Sequence, residues 1–288
     1  MAKDPAVGPI TRYDKFGNAR VDRGEALPVV PVEEVIEYAP EKKDMKTIIL
    51  AGGHGTRLQD ETEGKIPKPL VKIGLMTMLQ HIIYLYEGQG NSQFIVAGGY
   101  KADALLKWRE ELHDVFGHRE LNVLITDTGV ETQTGGRLLR LKYYLSKPFM
   151  MTYGDGLSDI NLSALAEFHD RMVIDHNILV TLTAVRPPAR FGNLVIENGL
   201  AKLFVEKSQA TGGWINGGFY IIQPDALNLI SGDSCRWEYD VLPTLAIQGR
   251  LAAYQHTGYF QMCDTSRDLE SLRSIWELGN APWARLFK

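Results

Sequence analysis

Short apolar runs recur along the chain, each closed by glycine, proline or asparagine, and between the early ones apolar residues return every three or four positions. The runs predict strands at Thr47–Ala51, Gln93–Ala97, Asn122–Thr126, Phe149–Tyr153, Ile178–Ala184, Leu194–Glu197, Lys202–Glu206 and Gly218–Ile222. The helical spacing predicts helices at Leu79–Glu87, Ala102–Phe116, Gly136–Leu145 and Leu162–Met172, and another that ends near Leu278. Strands that alternate with helices imply an α/β fold, a doubly wound and mostly parallel Rossmann-like sheet covered on both faces. In such sheets ligands sit beyond the carboxyl ends of the strands, where the strand order reverses. After Thr181 the pattern turns strand-rich, with a hairpin signal at Glu197-Asn198-Gly199-Leu200, as expected of a small β-rich subdomain over about 181–260.

Residues 1–44 break the pattern. They are charged and punctuated by Pro5, Pro9, Pro28, Pro31 and Pro40, with one weakly amphipathic stretch from Val32 to Tyr38. A flexible or surface-packed arm is expected there, followed by one domain over 45–288. Neither an internal repeat nor a low-complexity tract interrupts that domain.

With 44% hydrophobic and 23% charged residues the composition is that of a globular protein, and the net charge of −4 offers no long-range attraction to nucleic acid or anionic lipid. Any phosphate binding must therefore be local. No apolar run reaches membrane-spanning length and the first residues lack a signal-peptide core, so a cytoplasmic protein without membrane partners is expected. Cys235 and Cys263 cannot build a disulfide framework, and the seven histidines form no metal-ligand spacing.

The candidate chemistry begins where the first strand ends. Ala51-Gly52-Gly53-His54-Gly55-Thr56-Arg57-Leu58 is a glycine-rich turn whose backbone N–H groups can approach an oxyanion closely. Arg57 supplies a planar fork and Lys68, in Pro67-Lys68-Pro69, a point charge, a pair suited to a polyphosphate. A Walker loop is excluded, because no Gly-Lys-Ser/Thr tripeptide occurs, and Leu58 stands where a dinucleotide fingerprint needs Gly or Ala. A second anchor is Tyr153-Gly154-Asp155-Gly156, which places the Asp155 carboxylate at a strand's carboxyl end, in reach of a metal-bound triphosphate.

The Gly-Gly-x-Gly-Thr-Arg-Leu turn with Pro-Lys-Pro behind it resembles the sugar-1-phosphate nucleotidyltransferases, the nucleotide-sugar pyrophosphorylases. From Met45 onward the chain is similar to the glucose-1-phosphate cytidylyltransferase branch, through Leu124–Gly129, Thr134–Leu138, Thr152–Gly156, Arg190–Gly192 and Ile215–Phe219. The resemblance implies Mg2+-dependent transfer of a nucleoside monophosphate from an NTP, with CTP favoured, to glucose 1-phosphate or another hexose 1-phosphate. It implies Mg2+ on Asp155 and on Asp264, which otherwise reads as a residue at a helix N-terminus. It also assigns Arg57 and Lys68 to the triphosphate, and Ala51, Gly52, Gly53, Gly55, Thr56 and Arg137 to the nucleotide. Lys207 would hold the sugar phosphate, and Tyr153, Arg190, Gly192, Glu206 and Asn216 would line the sugar side. A homo-oligomer is expected from the same resemblance.

The chain departs from the family pattern at Ile66, where another lysine is common, and at Leu75-Met76-Thr77, where a second Lys-Pro is common. The connection from Gly99-Tyr100-Lys101 to Asp127-Thr128-Gly129 is also short. Two other readings stay open at this level: the same chemistry with a different NTP or an unusual sugar or polyol phosphate, and a non-catalytic subunit that binds a nucleotide sugar.

Overall fold

Thr47–Leu50 (β1) is buried at every position and carries β-branched residues, as a strand covered on both faces requires. The computed structural model describes residues 11–13, 19–21, 45–62, 64–115, 121–186, 193–197, 200–205 and 213–287. It divides into two units, Met1–Glu41 and Lys42–Lys288. Within the first, Thr11–Tyr13 pairs antiparallel with Ala19–Val21.

In the second unit β1 is followed by Gln93–Gly98 (β2), Asn122–Asp127 (β3), Phe149–Tyr153 (β4) and Gly156–Ser158 (β5). Then come Val180–Val185 (β6), Ile215–Ile222 (β7), Leu251–His256 (β8) and Phe260–Met262 (β9). Seven of these strands form one sheet, in the order β8-β6-β7-β4-β1-β2-β3. Only β7 runs against its neighbours β4 and β6; the other pairings are parallel. The chain builds outward from β1 through β2 to β3, then returns to place β4 on the other side of β1. That reversal makes the gap between the carboxyl ends of β1 and β4 the switch point where such sheets bind ligands.

Both faces of the sheet are dry. Ile49, Val96, Ile125 and Met150 point to one side, where Met78–Glu87 (α1), Ala102–Val115 (α2), Leu162–His176 (α4) and Ser266–Glu277 (α5) contribute Leu79, Leu105, Leu165 and Leu269. Ile48, Leu50, Ile95 and Met151 point to the other, against Leu138 of Thr134–Arg140 (α3), Trp237 and Leu245. This period of two, apolar on each face, is why the early strands read as continuous apolar runs. Both cysteines are free and buried within these two clusters.

The expected strands and helices form with shifted ends. The helix expected over Gly136–Leu145 starts at Thr134 and stops at Arg140, after which Lys142–Tyr144 tightens to a 3-10 turn. The helix from Leu162 runs on to His176 and closes on Asn177 in the left-handed conformation. Three strands of the 181–260 region, β6, β7 and β8, complete the central sheet, while Asn193–Glu197 and Leu200–Val205 pair as a separate antiparallel hairpin. No helix among the described residues is long and apolar enough to cross a membrane.

His81 ties α1 to the C-terminal segment. Its Nε2 faces the Ile73 carbonyl at 3.0 Å and its Nδ1 accepts the Trp283 indole N–H at 3.2 Å, so the ring is neutral. Burial holds its pKa down at about 4 against an ordinary 6.5, with the Ile73 carbonyl opposing weakly. Below pH 6.5 the unfolded chain binds a proton that the folded chain refuses, so stability is lost as pH falls towards 4. The slope from this residue is about 1.4 kcal/mol per pH unit. Thermal melts from pH 7 to pH 4 should fall less steeply in His81→Gln than in the wild type; parallel curves would remove this role.

Candidate active site

Leu50 and Tyr153 are paired across β1 and β4, and the Gly154 N–H donates to the Leu50 carbonyl at 2.9 Å. The glycine loop and the Gly-Asp-Gly turn therefore leave adjacent strands at one level. Between them opens a cavity of about 380 Å³, floored by Leu50 and Ala51. Gly52–Thr56, Lys68, Asp155 and Asp264 line one part of it and Val130–Thr134 with Arg137 another.

Lys68 stands at the centre of the charged end. Its Nζ donates to Asp155 Oδ2 at 2.7 Å and to Asp264 Oδ1 at 2.8 Å. Burial alone would lower the ammonium pKa, but the charges and hydrogen bonds of the two carboxylates outweigh it and raise the value. Three expected residues, far apart in the chain, thus converge on one point. A two-stranded ribbon sets the carboxylates: β9 pairs antiparallel with β5, Met262 opposite Gly156, and the Cys263 N–H donates to the Asp155 carbonyl at 2.8 Å. Asp264 is fixed from behind by Asp268, whose Oδ2 accepts the N–H groups of Asp264 at 3.1 Å and Thr265 at 2.9 Å. With Thr265 as N-cap this is a capping box that starts α5.

Asp155 Oδ1 is buried without a hydrogen-bond partner. An orphaned carboxylate oxygen of this kind, beside a second carboxylate, suits a divalent ion. No cluster of three or more His, Cys, Asp or Glu side chains arranged for a metal exists among the described residues. Two carboxylates with the remaining positions left to phosphate and water is the donor set magnesium favours.

Arg137 also lines the cavity. Its Nη1 donates to the carbonyls of Gly98 at 2.8 Å and Gly129 at 2.9 Å and to Thr128 Oγ1 at 2.7 Å. Its Nη2 donates to the Gly52 carbonyl at 2.9 Å. The guanidinium, buried in the wall, joins the glycine loop to the ends of β2 and β3. This explains two glycines: a Cβ on Gly52 would lie 2.2 Å from Arg137 Cζ, and one on Gly99 would lie 2.4 Å from its Nη1. Gly136 serves packing as well, since a Cβ there would meet the Asp233 carbonyl at 2.4 Å.

Gly53 differs. A Cβ there meets nothing within 4 Å, although the residue is exposed and lines the cavity. If its backbone is kept bare for a phosphate, Gly53→Ala should leave the melting temperature unchanged and raise the KM for the nucleotide by about tenfold or more. An unchanged KM would show that the position is merely tolerant.

On the far side of β4, the Tyr153 hydroxyl donates to Glu238 Oε1 and contacts the Tyr220 hydroxyl at 3.1 Å. Asn216 Nδ2 donates to Tyr220, and Asn216 Oδ1 accepts the Gly218 N–H at 3.0 Å. Arg190, Gly192, Glu206 and Lys207 lie outside the described residues, as does the side chain of Arg57, whose backbone forms part of the 3-10 turn Thr56–Leu58. Two residues that sequence reasoning missed stand in the site's support. Asp268 had a signal in the Thr265-x-x-Asp268 spacing. Glu238 falls in the 237–249 stretch that follows the family pattern, but nothing there gave it a role, because the π-helical turn Trp237–Val241 that presents it has no sequence signature.

The family model described as nucleotidyl transferase matches residues 46–281. A glucose-1-phosphate cytidylyltransferase of Salmonella typhi is 40% identical over 262 residues, covering 83% of this chain and 98% of that protein. A probable glucose-1-phosphate cytidylyltransferase of Bacillus subtilis (strain 168) is 34% identical over 257 residues, covering 83% and 99%. Among solved structures, HddC from Yersinia pseudotuberculosis superposes with a TM-score of 0.61 at 26% identity, over 81% of this chain and 99% of that one.

Proposed function

The chain belongs to the nucleotidyl transferase family, and from that premise we propose that it transfers CMP from CTP to glucose 1-phosphate, giving CDP-glucose and pyrophosphate. The observation that carries this reading is the convergence of Lys68, Asp155 and Asp264 beside the glycine loop at the sheet's switch point. The choice of CTP and glucose rests on the likeness to the two cytidylyltransferases.

The attacking group is an oxygen of the sugar phosphate, already ionised at neutral pH, and the bond that breaks joins the α-phosphorus of CTP to the bridging oxygen of pyrophosphate. No protein nucleophile or general base is needed. The chain's work is positioning and charge neutralisation. Gly52–Gly55 line the cavity where the phosphates would lie, and their backbone N–H groups would be the donors there. Lys68 and Arg57 offset the charge that grows on the departing pyrophosphate, and Lys207 holds the sugar phosphate. Arg190, Gly192, Glu206, Asn216 and Tyr153 surround the sugar, and Arg137 keeps the loop near the base in place.

Asp155 and Asp264 would hold Mg2+, which when bound supplies positive charge at the α-phosphate. The Lys68 ammonium already rests between these carboxylates, so the site keeps an internal counter-charge of its own.

Phosphorus NMR of the protein with Mg2+, CTP and glucose 1-phosphate tests the reading. A sugar-linked diphosphate and pyrophosphate should grow in equal amounts while CTP disappears. Orthophosphate with CDP, or no change, would contradict it.

A further inference from the structure

Glu238 is not among the residues that line the cavity, yet it touches two that are. Its Oε2 accepts the Thr134 hydroxyl at 2.7 Å, and its Oε1 accepts the Tyr153 hydroxyl. Thr134 opens α3 directly behind the Val130–Gln133 loop on the nucleotide side, and its Oγ1 accepts the Trp237 N–H at 2.9 Å. Tyr153 leads the other way, to Tyr220 and then Asn216 on the sugar side.

The chemistry of the two ends fixes every proton between them. A carboxylate only accepts and an amide N–H only donates. Tyr153 gives its proton to Glu238, so Tyr220 must donate to Tyr153, and Tyr220 in turn accepts from Asn216. The Gly218 N–H needs an acceptor, which forces Asn216 to turn Oδ1 towards it and Nδ2 towards Tyr220. The result is one directed chain, Asn216 to Tyr220 to Tyr153 to Glu238, met from the opposite side by Thr134.

The geometry points to Glu238 as a positioning residue that couples the two substrates: nucleotide held against the Thr134 loop orders the chain that presents Tyr153 and Asn216 to the sugar phosphate, and the reverse. The coupling rests on the nucleotide and sugar assignments above. Its physical basis is that both ligands restrict the same hydrogen-bonded unit, so the second to arrive finds it already ordered. Glutamine at 238 keeps the shape but replaces one acceptor with a donor, which cannot serve two hydroxyls that both give protons.

Calorimetric titration of glucose 1-phosphate into the full chain, with and without a non-hydrolysable CTP analogue and Mg2+, tests this directly. In the wild type the analogue should tighten sugar-phosphate binding by about tenfold. In Glu238→Gln and in Thr134→Val that factor should drop below about twofold, while Thr134→Ser, which keeps the hydroxyl, should retain it. Thermal melts of all three confirm that each variant is folded. Coupling in Glu238→Gln equal to that of the wild type, or no coupling in a wild type that binds both ligands, overturns the inference and leaves the proposed reaction standing. A wild type that binds neither ligand overturns both.

Discussion

Replacing Lys68 with alanine should lower kcat by about 10²–10³ while the KM for the sugar phosphate stays nearly unchanged. Lys68 lines the cavity proposed to take the phosphates, and pyrophosphate is the group that leaves with extra negative charge. An interaction that strengthens only as the bond breaks affects turnover rather than the affinity of the attacking substrate. A second consequence follows from the substrate-free geometry. Without Lys68, the carboxylates of Asp155 and Asp264 lose the ammonium that bridges them at 2.7 and 2.8 Å. The variant's melting temperature should therefore fall, and Mg2+ alone should raise it more than it raises that of the wild type. A Lys68→Ala protein with wild-type kcat would remove the catalytic role. Equal responses to Mg2+ would separate Lys68 from the metal site.

Replacing Arg137 with alanine should destabilise the fold more than any change on the cavity's exposed rim. The carbonyls of Gly52, Gly98 and Gly129 and the Thr128 hydroxyl each lose a charged donor in a wall that water does not reach freely, although Gly52 keeps the Tyr100 N–H at 3.1 Å and Gly98 the Thr128 N–H at 3.0 Å. The cost of losing these bonds to a charged group and opening a void is about 3–5 kcal/mol, or roughly 10 °C in melting temperature for a domain of this size. Lysine should recover little, because one ammonium cannot span the carbonyls that the planar fork joins. Nucleotide affinity should fall in parallel, since the glycine loop keeps its backbone bonds to β2 through Ala97 and Tyr100 but loses the side chain that joins it to both β2 and β3. A Tm within about 2 °C of the wild type would mean that the loops hold themselves in place.

Much of this was legible in the chain. β1 to β4 announce themselves because a strand buried on both faces must be apolar throughout, and Gly52–Arg57 and Gly154–Gly156 mark where such strands open at their carboxyl ends. Lys68 and Asp155 were readable from chemistry at a turn. Asp264 was not, for a carboxylate before a helix is ordinary, and only the family likeness singled it out. The wiring of Arg137 was hidden for a different reason. Its partners are backbone carbonyls, which carry no residue identity, so Thr134–Leu138 reads the same whether the arginine faces a base or braces a loop. Glu238 lies 85 residues from Tyr153, and nothing local in Trp237–Val241 says that a π turn will aim it there. The short β5 and β9 escaped notice because strands of three residues leave no periodicity to read.

Pyrophosphate release in the presence of Mg2+, measured for CTP, UTP, dTTP, ATP and GTP, each with glucose 1-phosphate and a small set of other sugar phosphates, decides the matter most directly. Release should require Mg2+, CTP and glucose 1-phosphate together. Silence across the panel, from a protein that still binds a nucleotide, would contradict it and leave a binding subunit built on an enzyme's fold.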